Sequence, residues 1–316
     1  MEHPLVSVCI LTCNHARYIS DCIMSAVSQA NDVSLEILVG DDRSDDGTSD
    51  TVRKLAEKFP ELIRHFRHEN RNVGKNYQFL LGQAVGKYIA HLDGDDYWLP
   101  GKLARQIHVM EEINDVSACY TNALCVDDAG ELIGLFNNKQ PARIDLNYLL
   151  ARGNFLNNTT AVYRAKFKKF FIERSPEYID YEIHLYLARQ GELAYLNVVG
   201  AGYRVRSGSS LILNQGEFVR DHYWHAICSV PDYHCSAGVK LMAQADFLRR
   251  VFFKALRLRS LAMLLKWWVL VSAKQNRKIK LLFSATALIV VTGSREIVEF
   301  LASTASKSTV RIFYRR

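Results

Sequence analysis

Three carboxylates, Asp93, Asp95 and Asp96, fall within the short stretch HLDGDDYWLP at residues 91–100. They follow the apolar run Tyr88-Ile89-Ala90-His91-Leu92, so they crowd the carboxyl-terminal lip of what reads as a buried strand. Carboxylates this close repel one another, and a hard divalent cation bound through oxygen, shared with a substrate phosphate, is the usual compensation. The same residues would also serve as an acidic turn before the helix that begins near Lys102. The spacing by itself leaves both readings open.

The elements needed to position such a cluster lie upstream. Leu5 to Leu11 is a short, β-rich apolar run of the kind buried in a parallel sheet, and Ile19, Cys22, Ile23, Ala26 and Val27 recur at helical spacing after it. A second strand, Leu35 to Gly40, runs into Asp41-Asp42 and a helix ending near Phe59. Leu62 to Phe66 reads as a third strand, Tyr77 to Val85 as a helix, and Tyr88 to Leu92 as the strand that delivers the aspartates. This alternation predicts an α/β chain with a doubly wound, mostly parallel sheet, whose ligands gather at the carboxyl ends of the strands. Thr12 and Asn14, Asp41 and Asp42, and Asp93 with Asp95 would then meet on one rim. Loops favour Asp, Asn and Gly in any case, so the convergence is an expectation for the structure to decide.

With 316 residues and 49% hydrophobic content the chain can bury a large core, and nothing in its composition suggests disorder. The seven cysteines lack any C-x-x-C spacing and the first residues lack a basic-then-apolar leader pattern, which together point to a reducing, cytoplasmic setting. The histidines show no zinc spacing. The net charge of +7 is uneven: from Lys240 onward sixteen Lys/Arg face only Asp246, Glu296 and Glu299, a balance of +13, so the first 239 residues carry −6.

Four ordered blocks, VSVCILTCNHARYISDCIMSAVSQ (6–29), EILVGDDRSDDGTSDTV (36–52), ENRNVGKN (69–76) and GKYIAHLDGDDYWLPGKLARQ (86–106), together resemble the inverting nucleotide-sugar glycosyltransferases of family 2, with their GT-A fold. The resemblance is specific over residues 4–125 and looser to about residue 210. It implies a nucleotide-sugar-binding half at 1–125 and an acceptor-binding half at 126–239, while the charge and apolar pattern of 240–316 sets that segment apart as a C-terminal helical extension. It places Thr12, Asn14, Asp41 and Asp42 around the base and ribose, with Asp42 an acceptor for a uracil-type imide, and Lys75 near the nucleotide. Asp93 would face the ribose or a metal-bound water, Asp95 would hold Mg²⁺ or Mn²⁺ on the diphosphate, and Asp96 would support them. The family's frequent Pro-Thr-Tyr-Asn is here Leu11-Thr12-Cys13-Asn14, which removes a possible stacking surface for the base.

The segment PEYIDYEIHLYLARQGELAYL (176–196) has an acidic start, a helical run and a Gly191 stop. It resembles the family's acceptor-side block, which makes Asp180 the candidate general base and Glu182 the next choice. Capping of the helix by Asp180 is the competing account, worth about 1 kcal/mol. In Tyr203-Arg204-Val205-Arg206, Arg206 replaces a frequent histidine; it either binds the diphosphate bidentately or pairs with the acidic rim. Cys119 to Val126 and Leu132 to Phe136 flank a Gly-containing turn and read as a hairpin, and the polar run Asn154 to Thr160 is either acceptor lining or a surface loop.

Beyond residue 239, Phe247, Leu248, Val251, Phe252, Ala255 and Leu256 interleave with Arg249, Arg250, Lys254 and Arg257. This pattern predicts helices lying in the headgroup region of an anionic membrane, with oligomerisation or packing on the catalytic body as alternatives. The apolar stretch 281–293 is shorter than the ~20 residues a spanning helix needs. The expected whole is a metal-dependent, inverting transferase peripheral to the inner face of the cell membrane, with a nucleotide-diphosphate sugar donor and a glycan or lipid-linked sugar acceptor, serving bacterial surface polysaccharide synthesis. A non-catalytic nucleotide-binding or membrane-scaffolding protein is the alternative. The missing G-x-G-x-x-G disfavours a dinucleotide enzyme, and the Trp and Leu content of the tail suits lipid better than nucleic acid.

Overall fold

The computed structural model describes residues 4–69, 71–205, 216–274, 276–305 and 311–314, with 296–305 as backbone. Its first strands, β1 (Val6–Thr12), β2 (Leu35–Asp41), β3 (Ile63–Arg67) and β4 (Tyr88–Asp93), pair in parallel in the order β4-β1-β2-β3. Between them run helices α1 (Ile19–Val27), α2 (Thr48–Lys58) and α3 (Val73–Gln83). The register explains the rim: Thr12 lies beside Asp41, and Leu11 beside Asp93. Thr12, Asp41 and Asp93, though far apart in sequence, are therefore nearly level at one edge of the sheet.

The second half of the sheet adds β5 (Tyr97–Trp98), β6 (Val116–Val126), β7 (Leu132–Asn137), β8 (Arg143–Ile144), β9 (Val162–Arg164) and β10 (Glu192–Arg204). Antiparallel β9 bridges β4 and β6, and the expected hairpin is β6–β7. A last strand, β11 (Ile312–Tyr314), adds in parallel to the β7 edge. There Tyr314 stacks on Phe136, which in turn meets Tyr203 edge-on.

Alternation along the strands splits the core into two layers, as a sheet covered on both faces requires. Val6, Val8 and Ile10 pack with α1, α2 and α4 (Lys102–Glu112), whereas Cys9 and Leu11 pack toward α3 and the later helices. These are α5 (Leu146–Arg152), α6 (Lys168–Glu173), α7 (Asp180–Gln190), α8 (Gly216–Ser229), α9 (Ala237–Arg257), α10 (Leu261–Ala273) and α11 (Lys278–Ala305). Their shared layer explains where the first part of the basic extension goes. Phe247, Leu248, Val251 and Ala255 of α9 are buried against the body, so the apolar stripe expected to meet lipid meets protein instead.

The arginines of α9 are also partly committed. Asp246 accepts from Arg249 Nη2 at 2.7 Å and from Arg250 Nε at 2.8 Å. Arg250 reaches the Asn154 carbonyl at 3.4 Å, Tyr223 Oη accepts the Asn154 amide at 2.8 Å, and Asn154 Oδ1 lies 3.0 Å from Nδ1 of His184 on α7. Burial pushes the His184 pKa down to about 3, so its ring is neutral and compatible with this enclosed site. A chain of polar contacts thus ties α9 to the helix that carries Asp180. Because Asp246 is buried and pairs with both partly buried arginines, Asp246→Ala leaves their charges uncompensated. We expect a loss of about 3–5 kcal/mol in urea unfolding; a loss under about 1 kcal/mol would show that the pairing is not structural.

Candidate active site

The carboxyl ends of β1, β2 and β4 open into a cleft of about 360 Å³ lined by Thr12, Asp42, His91, Asp93, Asp95 and Asp180 among others. Four short loops build it, and each is held by a different device.

The loops that follow β1 and β2 are stapled to each other, Cys13, Asn14 and His15 being bonded to Asp42, Ser44, Asp45 and Thr48. Asn14 adopts a left-handed conformation (φ 57°), where Asn is among the tolerated residues. Its side chain accepts the Asp45 amide at 3.0 Å while its own amide donates to Ser44 Oγ at 2.9 Å. Asp41 is fully buried and accepts the Ser44 amide at 2.9 Å. Asn14 and Asp41 therefore shape the rim without lining the cleft. Asp42 does line it, with Oδ1 accepting the Asn72 amide at 2.8 Å. Burial is the main reason its pKa lies above the usual carboxylate value.

The third block caps α3. Asn72 Oδ1 accepts the Lys75 amide at 2.9 Å, which sends the Lys75 side chain to the exposed surface and away from the cleft lining. Its neighbour Asn76 turns inward instead and donates to the Gly40 carbonyl at 2.9 Å. Arg206 lies outside the described residues.

In the fourth block every aspartate has a separate environment. Asp93 Oδ1 lies 3.0 Å from His91 Nε2. Burial works to raise the Asp93 pKa, but the His91 ring and the Thr159 hydroxyl outweigh it and hold the carboxylate below its usual range. Asp96 is buried, accepting from Thr159 Oγ1 at 2.6 Å and from the Arg204 amide at 2.8 Å. Burial, then Asp95 and Asp93, push its pKa well up. Asp95 is half-buried and faces the cleft. Gly94 fits between these residues because nothing larger can: a Cβ there would lie 2.7 Å from Thr12 Oγ1 and 2.8 Å from His15 Nδ1.

Asp180 is the first residue of α7 and comes to the same cleft from the other side. The helix is preceded by Ile179 as its cap residue and has no side-chain cap, so the capping account of Asp180 does not hold. Asp180 is exposed by surface area, yet its carboxyl sits against the cleft wall among many protein groups. That crowding, reinforced by Asp93 and opposed by His91, raises its pKa to about 6. Glu182, the second choice, is buried in an ion pair with Arg174, with His225 Nδ1 at 3.8 Å, and does not line the cleft.

The polar run before β9 divides its tasks. Asn158 lines the cleft, Thr159 holds Asp93 and Asp96, and Thr160 donates to the Thr121 carbonyl at 3.1 Å. Sequence reasoning passed over His15, His91, Asn76, Tyr178, Tyr203 and Arg204, all of which line the cleft. For His91 a signal existed, since residues i and i+2 of a strand share a face and His91 precedes Asp93 by two. Arg204 also borders an adjoining depression, with its guanidinium 4.4 Å from the Tyr18 ring centre.

The donor set suits a hard cation that takes most of its ligands from a substrate. Asp95 and Asp93 offer carboxylate oxygens, and among the described residues no group of three or more His, Cys, Asp or Glu forms a self-sufficient cage. Mg²⁺ and Mn²⁺ accept such partial coordination when phosphate oxygens and water complete it.

Residues 7–171 match the family model for glycosyl transferase family 2, and the chain belongs to that family. An uncharacterised protein of Mycobacterium tuberculosis is 29% identical over 202 residues, which span 63% of this chain and 58% of that relative. The Escherichia coli protein named UDP-Glc:alpha-D-GlcNAc-diphosphoundecaprenol beta-1,3-glucosyltransferase WfaP is 31% identical over 209 residues, covering 65% of this chain and 79% of its own. Among solved structures, the Pyrobaculum calidifontis mannosyltransferase PcManGT, in complex with GDP-Man and Mn²⁺, superposes with a TM-score of 0.61 at 17% identity over 95% of this chain and 85% of that one. The fold is thus of the GT-A type.

Gly94→Ala tests how tightly the loops are set. The added methyl must displace Thr12 or His15, and we expect the dissociation constant for UDP with Mn²⁺ to rise at least about tenfold, or about 1.4 kcal/mol, in calorimetry. Unchanged affinity would mean that the loops yield freely.

Proposed function

We propose that the chain transfers a sugar from a nucleoside-diphosphate donor to an acceptor hydroxyl with inversion, assisted by Mg²⁺ or Mn²⁺. The observation that carries this reading is one cleft holding Asp95 with Asp93 on one side and Asp180, with its raised pKa, on the other. Asp42 and Thr12 would take the nucleoside, with Asp42 as acceptor for a base imide. Asp93, kept ionised by His91 and Thr159, would face the ribose or a water on the metal. A bound cation would neutralise charge growing on the departing diphosphate.

Asp180 acts as general base. As the acceptor oxygen forms its bond to the anomeric carbon, its proton passes to the Asp180 carboxylate, and the bond to the diphosphate oxygen breaks on the opposite face. A base works best with a pKa near ambient pH, and about 6 serves that end better than an ordinary Asp. Arg206 remains a candidate ligand of the diphosphate, and Lys75 a more distant electrostatic one.

The acceptor we infer is a lipid-diphosphate-linked sugar, as the name of the Escherichia coli relative states for that protein. Such an acceptor would place the enzyme at the inner face of the cell membrane, in the synthesis of a bacterial surface polysaccharide. Among the described residues no helix is long and apolar enough to cross a membrane; the attachment we propose is peripheral.

Transfer from a panel of nucleotide sugars with Mn²⁺ tests the assignment. Asp95→Asn should abolish metal-dependent turnover. Asp180→Asn should keep donor binding and lower kcat by roughly 10²–10⁴-fold. The base must be ionised, so wild-type activity should fall as pH drops through about 6, and the residual activity of Asp180→Asn should lack that limb. Full transfer by Asp180→Asn would remove Asp180 from the mechanism.

A further inference from the structure

Helices α10 and α11 present an apolar surface that the body does not cover. Eleven of the twenty large hydrophobic side chains exposed among the described residues fall between Leu256 and Val291. On α10 they are spaced for one stripe, Leu261, Leu265 and Val269, while Trp267 and Val271 on the other side are buried. On α11 Ile279, Phe283 and Val290 form the outer stripe, and Leu281 and Ala285 face the core. Ile279 is 72% exposed and Phe283 71%, values at odds with a face turned to water alone. Scattered apolar residues need no explanation, but exposed stripes repeated on two successive helices that both pack on α9 mark an interaction surface.

Charge selects the occupant. Between residues 247 and 295 the chain has no Asp or Glu, whereas residues 256–295 carry eight Lys/Arg. Lys274, Arg277, Lys278 and Lys280 cluster at the exposed joint between the two helices, beside Ile279 and Phe283. Pairing this face with a second copy would bring two such cationic sets together, a repulsive arrangement. An anionic bilayer complements both features, since each Lys/Arg near its surface contributes about 1 kcal/mol and the apolar stripe enters the headgroup boundary.

We propose that the outward faces of α10 and α11, and not the α9 stripe, are a docking surface for an anionic membrane, with Leu265, Val269, Ile279 and Phe283 as its apolar contacts. The proposal deepens the lipid-linked acceptor reading and rests on it only for what the docked protein meets. Helix α9 serves as the anchor between this surface and the catalytic body. Its Asp246–Arg250 contact with Asn154 joins the two.

The test is flotation of the purified full chain with vesicles of phosphatidylcholine alone or mixed with phosphatidylglycerol. The chain should float with the mixed vesicles, less so as salt rises, and leave the neutral ones at least about tenfold less occupied. Phe283→Glu and Leu265→Glu should each abolish flotation with Tm unchanged, because both side chains are exposed. Lys278→Glu with Lys280→Glu should erase the preference for phosphatidylglycerol. No flotation with the mixed vesicles, or unaltered flotation of Phe283→Glu, overturns the proposal; so does a concentration-dependent dimer broken by Phe283→Glu in the absence of vesicle binding. Lost sugar transfer with flotation intact would count against the transferase reading alone.

Discussion

The rest of the structure depends on keeping four carboxylates, Asp93, Asp95, Asp96 and Asp180, in one small cleft region without mutual expulsion. Three of them have different remedies. Asp93 is paired with His91, Asp96 is buried beneath Thr159 and the Arg204 amide, and Asp180 has its pKa raised. Like charges at short range drive pKa values apart, and these separate environments give chemically identical groups separate tasks. Asp96 is built into the wall, Asp93 and Asp95 present oxygens, and Asp180 is able to receive a proton.

These remedies come from distant parts of the chain, which explains the shape of the fold. His91 comes from the same strand as Asp93, Thr159 from the turn before β9, and Arg204 from the end of β10. A sheet in which β9 lies against β4 and β10 against β5 brings them together. The α9 ion pairs extend the same logic outward by holding Asn154, and through it His184 of α7, against the body.

Much of this was legible in sequence because the parallel strands write their burial directly. Val6 to Thr12 is buried at every position, and the strand-loop alternation located Thr12, Asp42, Asp93 and Asp95 on one rim, whereas Asp180 came from the family resemblance. The finer assignments depart from the cleft lining where local chemistry claims a side chain first. Asn14 and Asp41 staple loops, and Lys75 occupies the outward position of a helix start whose next residue, Asn76, points in. Thr159 and Arg204 act through tertiary contacts that leave no periodic trace. The α9 stripe misled for another reason: apolar residues alternating with arginines describe equally a helix at a lipid surface and one packed on protein with its arginines paired. Only the acid at Asp246, which takes up two of them, distinguishes the cases.

The central claim is that Asp95 and Asp93 grip a cation only together with a diphosphate. Electron paramagnetic resonance of Mn²⁺ titrated into the protein with and without UDP tests it most directly. The account predicts weak Mn²⁺ binding alone, strong binding once UDP is added, and loss of that gain in Asp95→Asn. Equal Mn²⁺ affinity with and without UDP, or an undiminished gain in Asp95→Asn, would contradict it.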